Sequence, residues 1–326
     1  MTSKIQRIGV FTSGGDAPGM NAAIRAVVRA AIYYKLDVFG IMRGYEGMIE
    51  GDLVRLGVRS VGNILQRGGT ILKTARSKEF RTPEGRKKAY DNISKEGIQA
   101  LIAIGGDGTF NGLHALHSEY GIPTICIPGT IDNDIAGTDL TIGFDTATNT
   151  AVDAIDKIRD TALSHNRLFF IEVMGRNSGY IAINSGIAGG AGAIIIPEED
   201  VSFDDFYNRL TAGEETNKKS NLVVIAEGSK LGPANELARK VAERSSYFDI
   251  KVTIIGHLQR GGSPTYADRV LASKMGVAAV EGLLNGQKDV MVGIRENKIV
   301  YNSFDSLTEF HPIDAEMMRI AKILSI

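Results

Sequence analysis

The sequence predicts an α/β fold with two doubly wound, mainly parallel-sheet domains. Short apolar runs recur along the whole chain, and segments with helical spacing of apolar residues separate most of them. Such alternation covers both faces of a parallel sheet with helices, which explains why the expected strands are apolar throughout. Eight or more strands in 326 residues fit two such sheets better than one.

Strands are expected wherever a short apolar run is bounded by turn or loop residues. In chain order these runs are 8–11, 38–41, 101–104, 124–127, 168–173, 193–196, 222–226 and 252–255, and all are expected to be fully buried. Helices are expected at 20–34, 146–163, 268–284 and 312–324. Residues 290–294 and 298–301 flank Glu296 and Asn297, which predicts a hairpin.

The composition excludes several classes of function. Lys and Arg (37) nearly balance Asp and Glu (38), so the net charge of -1 argues against a nucleic-acid binder. No apolar run approaches the roughly 20 residues of a membrane helix, and Met1–Ile8 does not resemble a signal peptide, so we expect a cytoplasmic protein without membrane association. The single cysteine, Cys126, lies in an apolar run and is expected to be a buried structural thiol.

The first glycine-rich loop, SGGDAPG at 13–19, joins the first expected strand to the first expected helix. Glycines let backbone N–H groups approach an anion, and a helix N-terminus adds a favourable field. The loop misses the Walker A pattern, because Met20 and Asn21 replace Lys and Ser/Thr, and Asp16 breaks the G-x-G-x-x-G pattern. It is either a phosphate-binding loop or an ordinary strand-to-helix turn.

The second loop, GGDGT at 105–109, directly follows the apolar run 101–104. Small residues and a carboxylate at the end of a strand suit a nucleotide triphosphate with Mg²⁺, which Asp107 would contact directly or through water. A structural aspartate in a tight turn is the alternative.

The third loop, PGTIDND at 128–134, follows the run 124–127. Asp132 and Asp134 are two residues apart, and in an extended segment they would lie on the same side. One carboxylate can accept a hydroxyl proton while the other organises a metal ion, as phosphoryl transfer requires. Asx-turn chemistry is the structural alternative.

Six segments together carry a family resemblance that spans nearly the whole chain. They are TSGGDAPGMNAAIR (12–25), IGGDGT (104–109), PGTIDNDI (128–135), EVMGR (172–176), AEG (226–228) and GHLQRGGSP (256–264), and they resemble bacterial ATP-dependent 6-phosphofructokinases. GGDGT also occurs in NAD kinases and diacylglycerol kinases, whereas PGTIDND and GHLQRGG are specific to phosphofructokinases. The resemblance implies a phosphofructokinase-like fold and a glycolytic kinase that transfers the γ-phosphoryl group of MgATP to the 1-hydroxyl of fructose 6-phosphate.

The resemblance also implies a role for individual residues. Asp132 would be the base that takes the hydroxyl proton, and Thr130, Arg76 and Arg176 would complete the catalytic group. ATP would contact Gly14, Arg76, Ser77, Gly106, Asp107, Gly108 and Thr109, with Mg²⁺ at Asp107. Fructose 6-phosphate would contact Thr130, Ile131, Asp132, Met174, Gly175, Arg176, Glu227, His257, Leu258, Gln259 and Arg260.

Two further cations match family positions that reach the 6-phosphate from a neighbouring subunit, which implies a homotetramer. They are Arg167 and Lys251. The family usually has arginine at position 251, and a lysine keeps the charge but loses bidentate recognition, so we expect weaker binding of fructose 6-phosphate. Without the resemblance, Arg176 could be a surface ion-pair partner and His257 a buried structural histidine.

The resemblance implies an effector site for ADP and phosphoenolpyruvate, for which an ordinary solvated basic face is the alternative. The matching residues are Arg25, Arg29, Arg159, Lys218 and Lys219. The chain departs from the family pattern at Val58, which aligns with a frequent arginine, and at Gly192, which aligns with a glutamate linked to the effector's Mg²⁺. We therefore expect weak or altered activation by ADP.

A pyrophosphate-dependent phosphofructokinase is the nearest competing interpretation. Those enzymes typically carry Asp and Lys at the positions of Gly108 and Gly129, so two glycines favour ATP. An NAD kinase would leave PGTIDND and GHLQRGG unexplained, and a Rossmann dehydrogenase requires G-x-G-x-x-G. A non-catalytic sugar-phosphate sensor would lack the base or metal carboxylate, but Asp107, Asp132 and Asp134 are all present.

By the same resemblance, two domains share the chain. The larger, ATP-binding domain would comprise 1–142 and 257–305, and the smaller, fructose 6-phosphate-binding domain 143–256 and 306–326.

Overall fold

The computed structural model describes residues 5–165, 167–212, 222–304 and 311–324. The chain divides into two compact units. The first consists of Met1–Thr130, Ile135–Asp145 and Arg260–His311, and the second of Ile131–Asp134, Thr146–Gln259 and Pro312–Ile326. The functional domain boundaries near 142, 256 and 305 stay a prediction.

The strands of the described residues include all eight that the apolar runs predict, and the α/β fold class is confirmed. In chain order they are β1 (Arg7–Thr12), β2 (Asp37–Ile41), β3 (Leu53–Leu56), β4 (Ala100–Gly105), β5 (Thr124–Pro128), β6 (Arg167–Val173), β7 (Ala193–Ile195), β8 (Leu222–Ala226), β9 (Asp249–Ile254), β10 (Val290–Arg295) and β11 (Lys298–Ser303).

The α-helices of the described residues are α1 (Met20–Tyr33), α2 (Gly44–Glu50), α3 (Pro83–Lys95), α4 (Asp107–Tyr120), α5 (Phe144–His165), α6 (Tyr180–Ala188), α7 (Phe203–Ala212), α8 (Ala234–Arg244), α9 (Tyr266–Leu284) and α10 (Ala315–Leu324). The predictions for α1, α5 and α9 are confirmed to within two residues. The last helix begins at Ala315 instead of 312, because Asp314 Oδ1 accepts a hydrogen bond from Glu316 N (2.9 Å) at its N-terminus. None of these helices is long and apolar enough to cross a membrane.

The first unit is built on a seven-stranded sheet in the order β11-β10-β5-β4-β1-β2-β3. The inner strands are parallel, and the edge pairs β2–β3 and β10–β11 are antiparallel. The predicted hairpin is confirmed: Glu296 and Asn297 both have positive φ (48° and 62°), which matches the right-handed twist of its strands.

Both faces of this sheet are buried, as the parallel arrangement requires. Phe11 and Leu101 belong to an apolar core with Tyr45 of α2 and Phe110 of α4. Residues of the opposite parity, such as Ile102, are fully buried too. Cys126 lies in the same core, and the expectation of a buried thiol is confirmed.

The second unit contains a four-stranded parallel sheet in the order β7-β8-β6-β9. β8, one of its two inner strands, is buried throughout. The expectation that every predicted strand is fully buried is wrong for both edge strands of this sheet. Ala193 and Ile194 of β7 are only half-buried. The departure is larger in β9, where Lys251 and Ile254 are exposed. This strand also begins earlier than predicted, at Asp249.

Candidate active site

In the first unit, the glycine-rich loops follow neighbouring strands. β5, β4 and β1 are adjacent and parallel, so their carboxyl ends meet at one edge of the sheet. Ser13 N donates to Ile104 O (3.1 Å) and Gly129 N donates to Gly105 O (3.0 Å), which ties the start of each loop to the next strand. Ligand crevices form at this position in open α/β sheets.

The turn at the end of β4 requires glycine. A Cβ at Gly105 would lie 2.3 Å from Thr109 Oγ1 and 2.5 Å from the carbonyl oxygen of Ser13. A side chain here would therefore separate the first loop from the second. The close approach keeps the backbones of both loops beside the N-terminus of α4.

Asp107 is the first residue of α4, and Gly106 precedes it in extended conformation. A carboxylate in the first turn of a helix is stabilised by the macrodipole, and the N-terminal N–H groups offer an anion-binding surface. Tyr45 donates its hydroxyl hydrogen to Thr109 O (2.5 Å) and fixes this turn from the core. A single carboxylate suits Mg²⁺ that keeps water and phosphate oxygens as its other ligands, so the donor set fits this ion.

Gly108 and Gly129, the two glycines that favour ATP over pyrophosphate as the phosphoryl donor, differ in their surroundings. A Cβ at Gly108 would meet no heavy atom within 4 Å, so this position faces open space. A Cβ at Gly129 would lie 2.9 Å from Ile104 Cγ2 and 3.2 Å from Met20 Cε. Gly129 therefore packs against apolar side chains, whereas Gly108 leaves room beside α4.

The first loop reaches α1 through left-handed glycines, with φ of 86° at Gly14 and 105° at Gly19. The guanidinium of Arg260 lies against it: Nη1 donates to Asp16 O (3.1 Å) and would lie 2.6 Å from a Cβ at Gly15. Glycine at position 15 gives room for this contact. The sequence interpretation did not foresee that Arg260 contacts this loop.

The segment with Arg76 and Ser77 is tied to the end of β1. Thr12 Oγ1 donates to Lys73 O (3.0 Å) and shares a hydrogen bond with Thr70 Oγ1 (2.8 Å). Ser77 Oγ accepts from Phe80 N (3.2 Å) and starts a 3₁₀ turn, while Arg76 is exposed. The tether brings this segment to the same sheet edge as the first loop.

In the second unit, Asp132 is a buried carboxylate beside an exposed arginine. Its Oδ2 lies 3.6 Å from Arg176 Nε, and its backbone carbonyl accepts a hydrogen bond from Ser178 Oγ (2.9 Å). Asn133 has a φ of 51°, so the segment is not extended. The argument that alternation places Asp132 and Asp134 on one side is therefore wrong.

Arg176 is held in a strained turn after β6. Its φ is 52°, and Gly175 before it has a φ of 139°. Glu227 Oε1 accepts from Arg176 N (2.8 Å), and a Cβ at Gly228 would lie 1.9 Å from Arg176 O. Glu227 and Gly228, at the end of the neighbouring strand β8, thus fix the backbone that presents the arginine.

The residues that follow β9 differ in their exposure to solvent. Gln259 is fully buried, and its Oε1 accepts from Met174 N (2.9 Å). His257 and Leu258 are exposed, so the alternative of a buried structural histidine is wrong. Ile131 and Met174 are buried, and their side chains belong to the packing.

Arg167 and Lys251 lie at the other end of the same sheet. Arg167 is the first residue of β6, and Lys251 follows two residues after the start of β9. At about 3.3 Å per residue, the seven-residue strand β6 separates Arg167 from Val173 by about 20 Å. Within one unit these two cations are therefore remote from Arg176.

The comparisons with known proteins identify the family. A family model described as Phosphofructokinase matches residues 7–283. An ATP-dependent 6-phosphofructokinase of Cytophaga hutchinsonii is 54% identical over 98% of this chain and 98% of its own length. The chain belongs to the phosphofructokinase family. ATP-dependent 6-phosphofructokinase 1 of Thermus thermophilus is also 54% identical, over 99% of this chain and all of its own length.

Solved phosphofructokinase structures share the fold. The Saccharomyces cerevisiae phosphofructokinase superimposes with a TM-score of 0.88 and 36% identity over 98% of this chain and 48% of that longer chain. A pyrophosphate-dependent phosphofructokinase of Marinobacter aquaeolei gives a TM-score of 0.84 at 22% identity, over 98% of this chain and 91% of its own, which shows the fold alone.

The residues of the expected phosphofructokinase effector site are described in part. Arg25 and Arg29 lie one turn apart on α1 in the first unit, and Arg159 is half-buried on α5 in the second. Lys218 and Lys219 lie outside the described residues.

Sequence reasoning missed several residues that hydrogen-bond to the candidate site residues or to the segments that carry them. They are Thr12, Tyr45, Ser178 and Asp249. Each of these residues contacts a partner at least 46 positions away in the chain, and Asp249 also contacts the nearby Lys251. Spacing along the chain therefore gave no signal for most of these contacts.

Proposed function

We propose that this member of the phosphofructokinase family is an ATP-dependent 6-phosphofructokinase. The observation that carries the proposal is the buried Asp132 carboxylate with the Arg176 guanidinium beside it at 3.6 Å. A buried base next to an exposed, permanently charged arginine suits a reaction that moves a proton and a phosphoryl group at one place. The 54% identity to relatives named for the ATP-dependent reaction favours the same donor here.

The reaction forms a bond between the 1-oxygen of fructose 6-phosphate and the γ-phosphorus of ATP. The bond from that phosphorus to the β–γ bridging oxygen breaks, ADP leaves with the electron pair, and Asp132 takes the hydroxyl proton. Phosphoryl transfer depends mainly on positioning and charge stabilisation. Arg76 and Arg176 would supply guanidinium groups as charge builds on the transferred oxygens, and Thr130 would help to orient the acceptor.

The nucleotide would use the first-unit loops. The backbone of Gly14 and of Gly106–Thr109 offers N–H groups near the N-terminus of α4, and Ser77 and Arg76 come from the segment tied to β1. Mg²⁺, held at Asp107 with the phosphates, would neutralise charge on the nucleotide. The open space at Gly108 suits a bulky triphosphate beside the helix.

Fructose 6-phosphate would use residues at the carboxyl ends of the second-unit strands. The contact candidates are Gly175, Arg176, Glu227, His257 and Leu258, and the family resemblance adds Arg260. Ile131, Met174 and Gln259, which are buried, would shape this surface from beneath. Glu227 would combine acceptance of a sugar hydroxyl with its hydrogen bond to Arg176 N.

The 6-phosphate would also need Arg167 and Lys251 from another copy of the chain. Along the strands, Arg167 lies about 20 Å and Lys251, which pairs with Phe169, about 13 Å from the level of Val173 at the carboxyl end of β6. These separations support the assignment, because one phosphate group cannot contact both ends of the sheet. The proposal therefore includes a homo-oligomer, a homotetramer by family resemblance, with shared active sites. A cytoplasmic location and an effector site at Arg25, Arg29, Arg159, Lys218 and Lys219 stay predictions.

A coupled assay tests the proposal. The native chain should produce fructose 1,6-bisphosphate with MgATP and negligible product with pyrophosphate. Asp132→Asn should lower kcat by several orders of magnitude with a modest change in KM. Asp153→Asn, which removes an exposed carboxylate of α5, is the matched control and should keep full activity. Comparable rates with both donors, or an active Asp132→Asn variant, would contradict the proposal.

A further inference from the structure

Asp249 joins two cations at the amino end of the second-unit sheet. Its Oδ2 lies 3.0 Å from Arg167 Nε and its Oδ1 lies 2.6 Å from Lys251 Nζ. Each carboxylate oxygen therefore accepts from one cation. All three side chains are accessible to solvent, and Asp249 is about half exposed (51%).

The strand register explains this arrangement. Arg167 and Asp249 are direct partners in the parallel pair of β6 and β9. Lys251 follows Asp249 by two residues on β9, so both side chains leave the strand on the same face. Among the described residues, β9 is an edge strand of its sheet and pairs only with β6.

The hydrogen bonds to Asp249 do not use all the donor groups of Arg167 and Lys251, and the other donors can bind an anion. The bond to Asp249 uses Nε of Arg167, so the end formed by its two terminal nitrogens is not used in this bond. Lys251 has three donor hydrogens, of which the bond to Asp249 uses one. Hydrogen bonds from Lys251, and next from Arg167, lower the pKa of Asp249, so the carboxylate stays ionised at neutral pH. The cluster keeps one net positive charge.

We propose that Asp249 is a positioning residue that fixes the spacing and orientation of Arg167 and Lys251 for the phosphate group of fructose 6-phosphate. The inference rests on the proposed function, which assigns these two cations to the sugar phosphate. Without Asp249, two long cationic side chains would repel each other and sample many rotamers, and ordering them would reduce the affinity for phosphate. The nucleotide, bound elsewhere, would not be affected.

The test is the steady-state kinetics of Asp249→Asn, which keeps the shape but removes the charge and one acceptor oxygen. We expect the KM for fructose 6-phosphate to rise about three- to fivefold, the size expected for exposed ion pairs, with kcat and the KM for ATP within about twofold. Asp249→Glu should restore part of the affinity. The matched control is Asp204→Asn, which removes an exposed aspartate that pairs with Arg244 in the same unit and should leave all constants unchanged.

A double-mutant cycle with Lys251→Gln separates positioning from a general structural role. If Asp249 acts through Lys251, the Asn substitution should change the KM less in the Lys251→Gln background than in the native chain. An unchanged KM in Asp249→Asn, or a lower one because the aspartate competes with the phosphate, would overturn the inference. A fall in kcat together with a lower melting temperature in Asp249→Asn would also overturn the inference. A native chain without phosphofructokinase activity would instead contradict the proposed function.

Discussion

Ser178 donates a hydrogen bond to the backbone carbonyl of Asp132 at 2.9 Å, and both residues are buried. Ser178 lies just before α6 and two residues after Arg176, so one short segment holds both the backbone of the expected base and the arginine beside it. The position of the carboxylate therefore depends on a hydroxyl group that takes no part in the chemistry.

We expect Ser178→Ala to lower the free energy of unfolding by about 1–2 kcal/mol, because a buried carbonyl loses its donor. It should also lower kcat, with little change in the KM for ATP. Chemical denaturation and steady-state kinetics measure the two effects. Ser185→Ala is the control, since Ser185 is also buried and bonds within α6 to Ile181 O. An equal loss of kcat in both variants would show that Ser178 has no special role.

Arg176 is expected to stabilise charge on the transferred phosphoryl group. Arg176→Ala should lower kcat by about 100-fold or more, the size found when one preorganised donor is removed. Arg176→Lys keeps the charge but not the forked geometry and should recover only part of the rate. The exposed Arg239, which pairs with Glu243 on α8, gives a neutral control as Arg239→Ala. A kcat near the native value in Arg176→Ala would refute this role.

Substitution of Gly108 and of Gly129 by alanine should have different effects on the free energy of unfolding. Gly108→Ala places a Cβ in open space within α4, so the free energy of unfolding should stay equal or rise by about 0.5–1 kcal/mol. Its KM for ATP should nevertheless rise if the triphosphate occupies this space. Gly129→Ala should destabilise the fold, because its Cβ would lie 2.9 Å from Ile104. Thermal unfolding and ATP titration measure both effects, and an unchanged KM in Gly108→Ala would place the nucleotide elsewhere.

Lys251→Arg should lower the KM for fructose 6-phosphate, because a guanidinium can bind two phosphate oxygens at once. A gain of about two- to fivefold is expected, with kcat unchanged. The comparison is made on the native chain and the variant in the same coupled assay. Equal Michaelis constants would show that the lysine costs no affinity.

Cys126 should be unreactive in the folded chain. Burial raises the pKa of this thiol well above its ordinary value, so it stays protonated as the pH rises through 8, where an exposed cysteine begins to ionise. An aromatic disulfide reagent at pH 8 should release no chromophore from native protein and one equivalent per chain in urea, since the sequence contains one cysteine. Rapid stoichiometric labelling of native protein would contradict the buried position.

The apolar runs predicted eight of the strands, because a buried parallel strand must be apolar on both faces. They missed the edge strand β3, whose Val54 and Arg55 are exposed. The same rule failed at β9, where Lys251 and Ile254 are exposed. Whether a strand lies inside a sheet or at its edge depends on the order in which strands pair, and no local pattern records that order. The prediction for Asp132 and Asp134 failed for a related reason, since one left-handed residue, Asn133, breaks the alternation.

By itself, the sequence determined the fold class and the glycine-rich turns at the strand ends, because each follows from residue type and short spacing. The resemblance to the phosphofructokinase family implied which residues are expected to act. Only the tertiary structure decided that Ser178 supports Asp132, that Glu227 fixes Arg176 N and that Asp249 bridges Arg167 and Lys251. Most of these contacts join residues that are distant in the chain, and their hydrogen bonds form only when strand register and helix packing bring the atoms within about 3 Å.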